Sequence, residues 1–278
     1  MSKILVLGSS GQVGDHLCGY LRRKGNDVLE FDLVESINQD LRTTNNELLD
    51  EYMRECDFVY FLAFDVGGSR YLKKYQHTFD FTDNNIKLMT NTFCSLKKHN
   101  KPFVFASSQM SNMDYSPYGS QKRLGEHYTD LLGGLVVKFW NVYGIEKDLE
   151  KAHVITDFIL KAKDNKLIDM LTDGTEERQF LYAEDCSEAL DIVRKNYTII
   201  DRERELHITN HKWDSILNVA DEITKHFPAE VIPSTNKDDV QKGKRNEADP
   251  YILDFWKPKT TLEQGIKIIC DYYKENVK

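Results

Sequence analysis

The chain has 278 residues, 40% of them hydrophobic and 29% charged, which is enough apolar material for a substantial core. Its 45 acids against 37 bases leave a formal charge of −8, which argues against sequence-independent nucleic-acid binding, because that needs a basic face for the phosphates. The longest apolar run, Phe58 to Phe64, is far short of a ~20-residue membrane span, no secretory apolar segment opens the chain, and the five cysteines form no CxxC pair; a cytoplasmic protein without disulfides, membrane contact or a cysteine zinc site is expected.

In chain order, Lys3 to Leu7 reads as a short strand buried on both faces. Gln12 to Lys24 is helical, and Gly25 is a plausible stop. Asp27 to Phe31 and Asp57 to Ala63 are the next strands. Asn85 to His99 has helical spacing, with Ile86, Met89, Phe93 and Leu96 on one face. Pro102 to Ala106 is a further buried strand with its proline at the start. Ser116 is a good N-cap with Pro117 at the first helical position, so a helix is expected to about Leu132; Gly133-Gly134 ends it, and Leu135 to Trp140 is strand again. Beyond residue 145 the alternation loosens into helical Val154 to Lys166, strand-like Arg178 to Tyr182, helical Glu184 to Lys195 and a last strand from Glu205 to Thr209.

Strands alternating with helices imply parallel βαβ units, hence an α/β fold of the Rossmann type: a doubly wound parallel sheet with a smaller C-terminal substrate-binding domain. The expected division gives residues 1–147 plus about 181–208 to the sheet domain, and about 148–180 plus 209–278 to the other.

The turn from Gly8 through Gly11, Gln12 and Val13 to Gly14 lies between the first strand and the first helix. Gly8 permits a tight turn, Gly11 lets backbone approach a pyrophosphate, and Gly14 lets helix pack on strand. The diphosphate then meets free N–H groups at the helix N-terminus. Asp32 ends the second strand, 24 residues after Gly8. A carboxylate there accepts from an adenosine ribose diol and repels a 2′-phosphate, and Leu33 and Val34 follow it instead of an arginine. NAD is therefore expected over NADP.

Ser107-Ser108 closes the strand at Ala106, on the carboxyl edge where α/β sheets place ligands. Tyr118 and Lys122 follow at i, i+4 on one face of the capped helix. A phenol with pKa ~10 needs ~4 kcal/mol to act as a base near pH 7. An ammonium at ~4 Å supplies that order of energy at an effective dielectric of ~20. Ser108 is placed to hold a substrate hydroxyl and steady a developing oxyanion.

These motifs together resemble the extended short-chain dehydrogenase/reductases, the NAD-dependent nucleotide-sugar epimerase/dehydratase family, over nearly the whole chain. The resemblance matches Gly8, Gly11 and Gly14 to the family's glycine motif, Asp32 to its cofactor acid, and Asp40-Leu41 to its adenine-contacting pair. It likewise matches Leu62-Ala63 to the apolar strand end beside the cofactor and Asn84 to a cofactor-side asparagine. Gln12, Val13, Ser107 and Trp140 join the implied NAD contacts, as do Tyr118 and Lys122. Ser108, Tyr118 and Lys122 are the implied catalytic set. Asn141, within Phe139 to Gly144, is implied to face the nucleotide sugar, and Arg178 to grip its diphosphate; Lys257-Pro258 and Thr260 to Gly265 resemble a closing structural motif. A homodimer through the Asn85–His99 and Pro117–Leu132 helices is the family's usual assembly.

Two departures stand out. Only nine residues, Gln109 to Pro117, separate Ser108 from Tyr118, where the family usually has a loop more than twice as long facing the sugar. Gln109-Met110 stands where the family's dehydratases carry Asp-Glu, so elimination of water is disfavoured. Among weaker features, His207 and His211 form an HxxxH pair without the glutamate of a zinc protease. Lys242, Lys244 and Arg245 read either as a solvated loop or as a second contact to the diphosphate, for which the Arg245 fork is suited. The expected function is NAD-dependent epimerisation of a nucleotide-linked sugar, carbon 4 favoured, with a one-way 4-oxidoreductase as the alternative.

Overall fold

Ile4 and Val6 face one side of strand β1 (Lys3–Leu7) and Leu5 and Leu7 the other, and all four are fully buried. A strand of this kind needs a layer on each face, and the chain supplies both. The computed structural model describes residues 1–238, 240–241 and 246–276. After β1 come α1 (Gln12–Arg23), β2 (Asp27–Phe31), α2 (Glu47–Glu55), β3 (Phe58–Phe61), α3 (Ser69–Tyr75), α4 (Phe79–His99), β4 (Phe103–Ser108), α5 (Pro117–Leu131) and β5 (Leu135–Phe139). The second half adds β6 (Asn141–Tyr143), α6 (Val154–Asn165), β7 (Leu167–Asp169), β8 (Glu177–Arg178), β9 (Phe180–Tyr182) and α7 (Ala183–Lys195). It ends with β10 (Leu206–Ile208), β11 (Asp214–Ser215), α8 (Ile216–Thr224), β12 (Glu230–Ile232) and α9 (Leu262–Asn276).

The main sheet has the order β10-β5-β4-β3-β1-β2, with every pair parallel. The chain leaves β1 toward β2 and then crosses back to β3, so a crevice opens at the carboxyl ends of β1 and β3. Leu17, Leu21, Ala189, Leu190 and Val193 of α1 and α7 cover one face. Leu49, Met53, Met89, Phe93 and Leu96 of α2 and α4 cover the other. A second core gathers Ile155, Phe158 and Ile159 of α6 with Val219 and Ile223 of α8 and Ile266, Ile269 and Tyr273 of α9. Three two-stranded pairs, β6–β9, β7–β12 and β8–β11, accompany it.

The late strand at Glu205 does join the main sheet, as β10 beside β5. Helix α4 begins six residues earlier than its apolar spacing indicates, because the Thr78 hydroxyl accepts from Phe81 N at 3.3 Å and caps it there. Strand β4 runs on through Ser107 and Ser108, which pair with Lys138 and Phe139. Helices α2, α3, α8 and α9 add to the expected elements. Leu262, Ile266, Ile269 and Tyr273 of α9 do carry a helical period, whereas α2 buries only Leu49 and Met53. Among the described residues no helix is long and apolar enough to cross a membrane.

Candidate active site

Two glycines of the turn after β1 cannot be replaced without moving backbone. Gly8 has φ +87°, and a Cβ there would stand 2.6 Å from the backbone nitrogen of Ala63. A Cβ on Gly14 would lie 2.0 Å from the Gly8 carbonyl oxygen. The carbonyl of Leu7 accepts from both Leu62 N and Ala63 N, at 2.9 and 2.8 Å, so the Leu62-Ala63 strand end is pinned against the turn. Gly11 differs: its Cβ would meet only Gly8 O, at 3.4 Å. It is the N-cap of α1 with no side-chain cap bond, which leaves the first N–H groups of the helix to a ligand. Ser9 Oγ is buried beside them without a partner. The Gln12 amide faces Val142 O and Gly144 N and ties the turn to β6.

Asp32 sits at the mouth of this turn. Its two oxygens accept from Ser10 N and Val34 N, each at 3.0 Å, while Ser10 Oγ donates to Glu35 at 2.7 Å. An uncapped helix start with a carboxylate fixed beside it fits a dinucleotide with an unmodified ribose.

Asp40 is held by the Arg42 guanidinium through Nε and Nη2, and its carboxyl lies below the usual range because of that pair. Arg42 also donates to Asn84 Oδ1 at 3.0 Å. Leu41 is buried in the core over α2 and α4, where its side chain packs inward. Arg42 was not anticipated from the sequence, and neither was Asn85. The Asn85 side chain accepts from Asp65 N at 2.7 Å and donates to Asp65 O at 3.2 Å, clamping the segment that leaves β3.

Ser116 Oγ accepts from Gly119 N at 3.1 Å, so α5 starts at Pro117 as its cap signal predicts. A Cβ on Gly119 would be 2.1 Å from the Met110 carbonyl oxygen. This close approach explains how nine residues suffice between Ser108 and Tyr118: Gln109–Asn112 forms a 3-10 turn directly against the start of the helix. Ser108 Oγ accepts from Met110 N at 3.1 Å, and its hydroxyl pulls the Tyr118 phenol down against the push of burial. Tyr118 and Lys122 share the buried face of α5.

The lysine does not act on the phenol as the sequence argument expects. Lys122 Nζ donates to Ala106 O at 2.6 Å and lies 3.7 Å from the centroid of the Phe64 ring. Phe64 in turn meets Tyr118 edge to face at 5.7 Å. Burial pushes the Tyr118 phenol up to about 12, against the pull of Ser108, and pulls Lys122 down to about 7, against the charge of Glu126. Burial thus disfavours the charged form of both groups, and Lys122 Nζ is directed to a carbonyl and a ring in place of the phenol.

Contacts run without a break from the glycine turn through Leu62-Ala63 and Phe64 to Lys122 and Tyr118. The remaining candidates lie around this line. Trp140 donates from Nε1 to His207 Nδ1 at 3.0 Å and packs edge-on to Trp213, so its indole turns toward β10; it is Phe139 that packs on the buried cluster shared by Val13 and Leu62. Asn141 opens β6, its side chain donating to Gln179 O at 3.4 Å. Arg178 forms an ion pair with Asp238 and donates to Glu177 O at 2.7 Å. Gln109 donates to Gln241 at 3.0 Å and accepts from Asn246 at 2.6 Å, and Val240 packs in the cluster with Tyr118, Met110 and Met113. Arg245, with Lys242 and Lys244, lies outside the described residues.

A doubly wound sheet with this glycine turn, acid and Ser-Tyr-Lys edge defines an NAD-dependent α/β enzyme. The chain belongs to the NAD dependent epimerase/dehydratase family, whose sequence pattern matches residues 4–208. It is similar to a UDP-N-acetyl-alpha-D-glucosaminuronate decarboxylase of Bacillus cytotoxicus, 24% identical over 325 residues that cover 98% of this chain and 98% of that one. Its fold is similar to the NAD complex of dTDP-glucose 4,6-dehydratase from Bacillus anthracis, with a TM-score of 0.81, 19% identity and coverage of 100% and 98% of the two chains. It is similar also to UDP-glucose 4-epimerase from Thermus thermophilus in complex with NAD, with a TM-score of 0.78, 18% identity and coverage of 99% and 100%. The protein is an NAD-dependent enzyme of nucleotide-sugar modification.

Proposed function

We propose that the protein interconverts epimers of a nucleotide-linked sugar, at carbon 4 in the favoured case, through a transient 4-keto intermediate. The observation that carries this reading is Gln109. It follows Ser108 directly, its amide is tied at both ends to the neutral side chains of Gln241 and Asn246, and Met110 stands beside it. Elimination of water needs a carboxyl group to move protons at that place. An amide and a thioether supply none, which favours oxidation at one carbon with its reversal over elimination of water.

In this reading the N–H groups from Gly11 to Gly14 hold the cofactor diphosphate and Asp32 the adenosine ribose. Asp40, Leu62, Ala63, Asn84 and Ser107 surround the rest, and Lys122 holds the second ribose. Bound NAD supplies the hydride acceptor and, on reversal, the donor. With the positive ring of bound NAD lowering its pKa against burial, Tyr118 as phenolate would take the proton from the sugar hydroxyl, and Ser108 would hold that oxygen. Asn141 and Arg178, with Arg245, bind the nucleotide sugar, Arg178 exchanging Asp238 for the diphosphate. The sheet body, residues 1–147 with about 181–208, serves the cofactor, and the remainder serves the sugar.

The test is incubation of the purified protein with a panel of nucleotide diphosphate sugars, read by NMR and by NADH absorbance. Two stereoisomers with no accumulating NADH support the epimerase. NADH rising in step with a keto sugar assigns the one-way 4-oxidoreductase, and a product lacking water overturns the argument from Gln109.

A further inference from the structure

Glu126 lies one helical turn beyond Lys122 on α5 and is only 5% exposed, an unusual place for an acid. Its Oε1 accepts from Ser107 Oγ at 2.5 Å, and Lys138 Nζ of β5 stands 3.7 Å from the same oxygen. Arg123 donates to Oε2 at 3.1 Å. Lys138 itself reaches on to Glu205 at 2.5 Å and to Asn112 Oδ1 at 3.3 Å, and Glu205 pairs with His207 at 2.6 Å. The group that Glu126 grips, Ser107, lies between the two residues that organise the site: Ala106, whose carbonyl accepts from Lys122 Nζ, and Ser108, whose hydroxyl pulls the Tyr118 phenol down against burial.

We propose that Glu126 is a positioning residue for the Ser108–Tyr118–Lys122 site, anchoring the end of β4 through Ser107 and setting a negative charge one helical turn from Lys122 on the same buried face of α5. The inference rests on the reading of Tyr118 and Lys122 as catalytic. A glutamine of the same size would keep the packing and most of the hydrogen bonding, so the feature that needs explaining is the charge. A buried carboxylate is retained at a cost unless something nearby uses it. Lys122 is only 3% exposed, and its Nζ meets one carbonyl and lies over the rings of Phe64, Phe105 and Tyr118. Burial therefore disfavours its charged form, and Glu126 is the group that opposes burial. Facing Glu126 are Ser107 from β4, Lys138 from β5 and Arg123 from its own helix, with Lys122 one helical turn earlier and Glu205 and His207 one step further off. Only Lys122 among the cations lacks a second carboxylate or open solvent, so it depends most on this charge.

The experiment measures the protonation of Lys122 itself, independently of turnover. Full-length protein with NAD is trace-acetylated across a pH series, and labelling of Lys122 is read by peptide mass spectrometry. Glu126→Gln is expected to move the labelling midpoint down by about one pH unit, and Glu126→Asp to return it toward wild type. If Glu126→Gln does not fold, Glu126→Gln is combined with Lys138→Gln and read against Lys138→Gln alone, and the midpoint of the double variant is expected to lie below that of the single one. A midpoint equal to that of wild type in the folded variant overturns the proposal. Separately, a fully active Lys122→Ala protein overturns the catalytic reading on which it rests, whatever the labelling shows.

Discussion

Tyr118 carries the proposed proton transfer, and its surroundings allow a clean substitution. Tyr118→Phe removes one hydroxyl and keeps the ring against Phe64, Met110 and Val240. The fold and the NAD content should be unchanged, while turnover should fall at least ~10²-fold, the lower end of what a positioned base contributes. Steady-state kinetics together with cofactor released on denaturation check both halves. Asp32 sets a second expectation at this scale. Because Ser10 N and Val34 N hold its carboxylate at the glycine turn with Glu35 close by, a 2′-phosphate would be placed against fixed negative charge. Titration of both cofactors into apo protein should show at least ~10-fold preference for NAD, about 1.4 kcal/mol; equal affinities would remove Asp32 from the site.

At the scale of elements, the turn from β1 into α1 separates two kinds of glycine. Gly14 is required by packing within the chain, since its Cβ would enter the Gly8 carbonyl, whereas Gly11 has room for a methyl group and an ordinary φ of −69°. Gly14→Ala should therefore lower the melting temperature by several degrees or prevent folding, by forcing helix from strand. Gly11→Ala should melt within about 2 °C of wild type yet bind NAD at least ~10-fold more weakly, because the methyl group stands where the diphosphate approaches. Calorimetric melting of both variants beside NAD titration distinguishes the roles; equal effects on melting and binding would refute the division. The short Gln109–Pro117 connection belongs to the same scale. Gly119 lets α5 press on the Met110 carbonyl, and the side chains of Val240, Gln241 and Asn246 then lie over the turn that a longer loop would occupy.

For the whole molecule, two buried cores meet along β6 and β9, and α4 and α5 lie side by side over the opposite face of the main sheet. Leu124 and Leu131 project from one face of α5, 40% and 83% exposed, and Phe79 at the start of α4 is 80% exposed. Apolar side chains left in water on adjacent helices are the material of a helical interface. A homodimer packed through α4 and α5 is expected, with light scattering at micromolar concentration as the measure; Leu124→Lys combined with Leu131→Lys should shift it to monomer without loss of helix content.

Much of the sheet was legible in the chain because its signals are local. A buried strand is a run of apolar residues, a helix start is Ser116-Pro117, and the Gly8–Gly14 turn is a spacing that backbone sterics demand. Strands β1, β2, β4 and β5, helices α1 and α5, and the set Ser108, Tyr118 and Lys122 all follow from such signals, and β10 is found at the expected place. What tertiary structure decided are matters of direction and pairing between segments distant in sequence. Arg42 with Asp40 and Asn84, the clamp of Asn85 on Asp65, the ion pair of Arg178 with Asp238 and the tie of Gln109 to Asn246 join residues up to 137 positions apart. The aim of Lys122 at Ala106 and Phe64 instead of the Tyr118 phenol is of the same kind. An i, i+4 spacing puts two side chains on one face of a helix, but which neighbour a flexible ammonium finds, and how far burial moves both groups, depends on the strand and loop packed against that face.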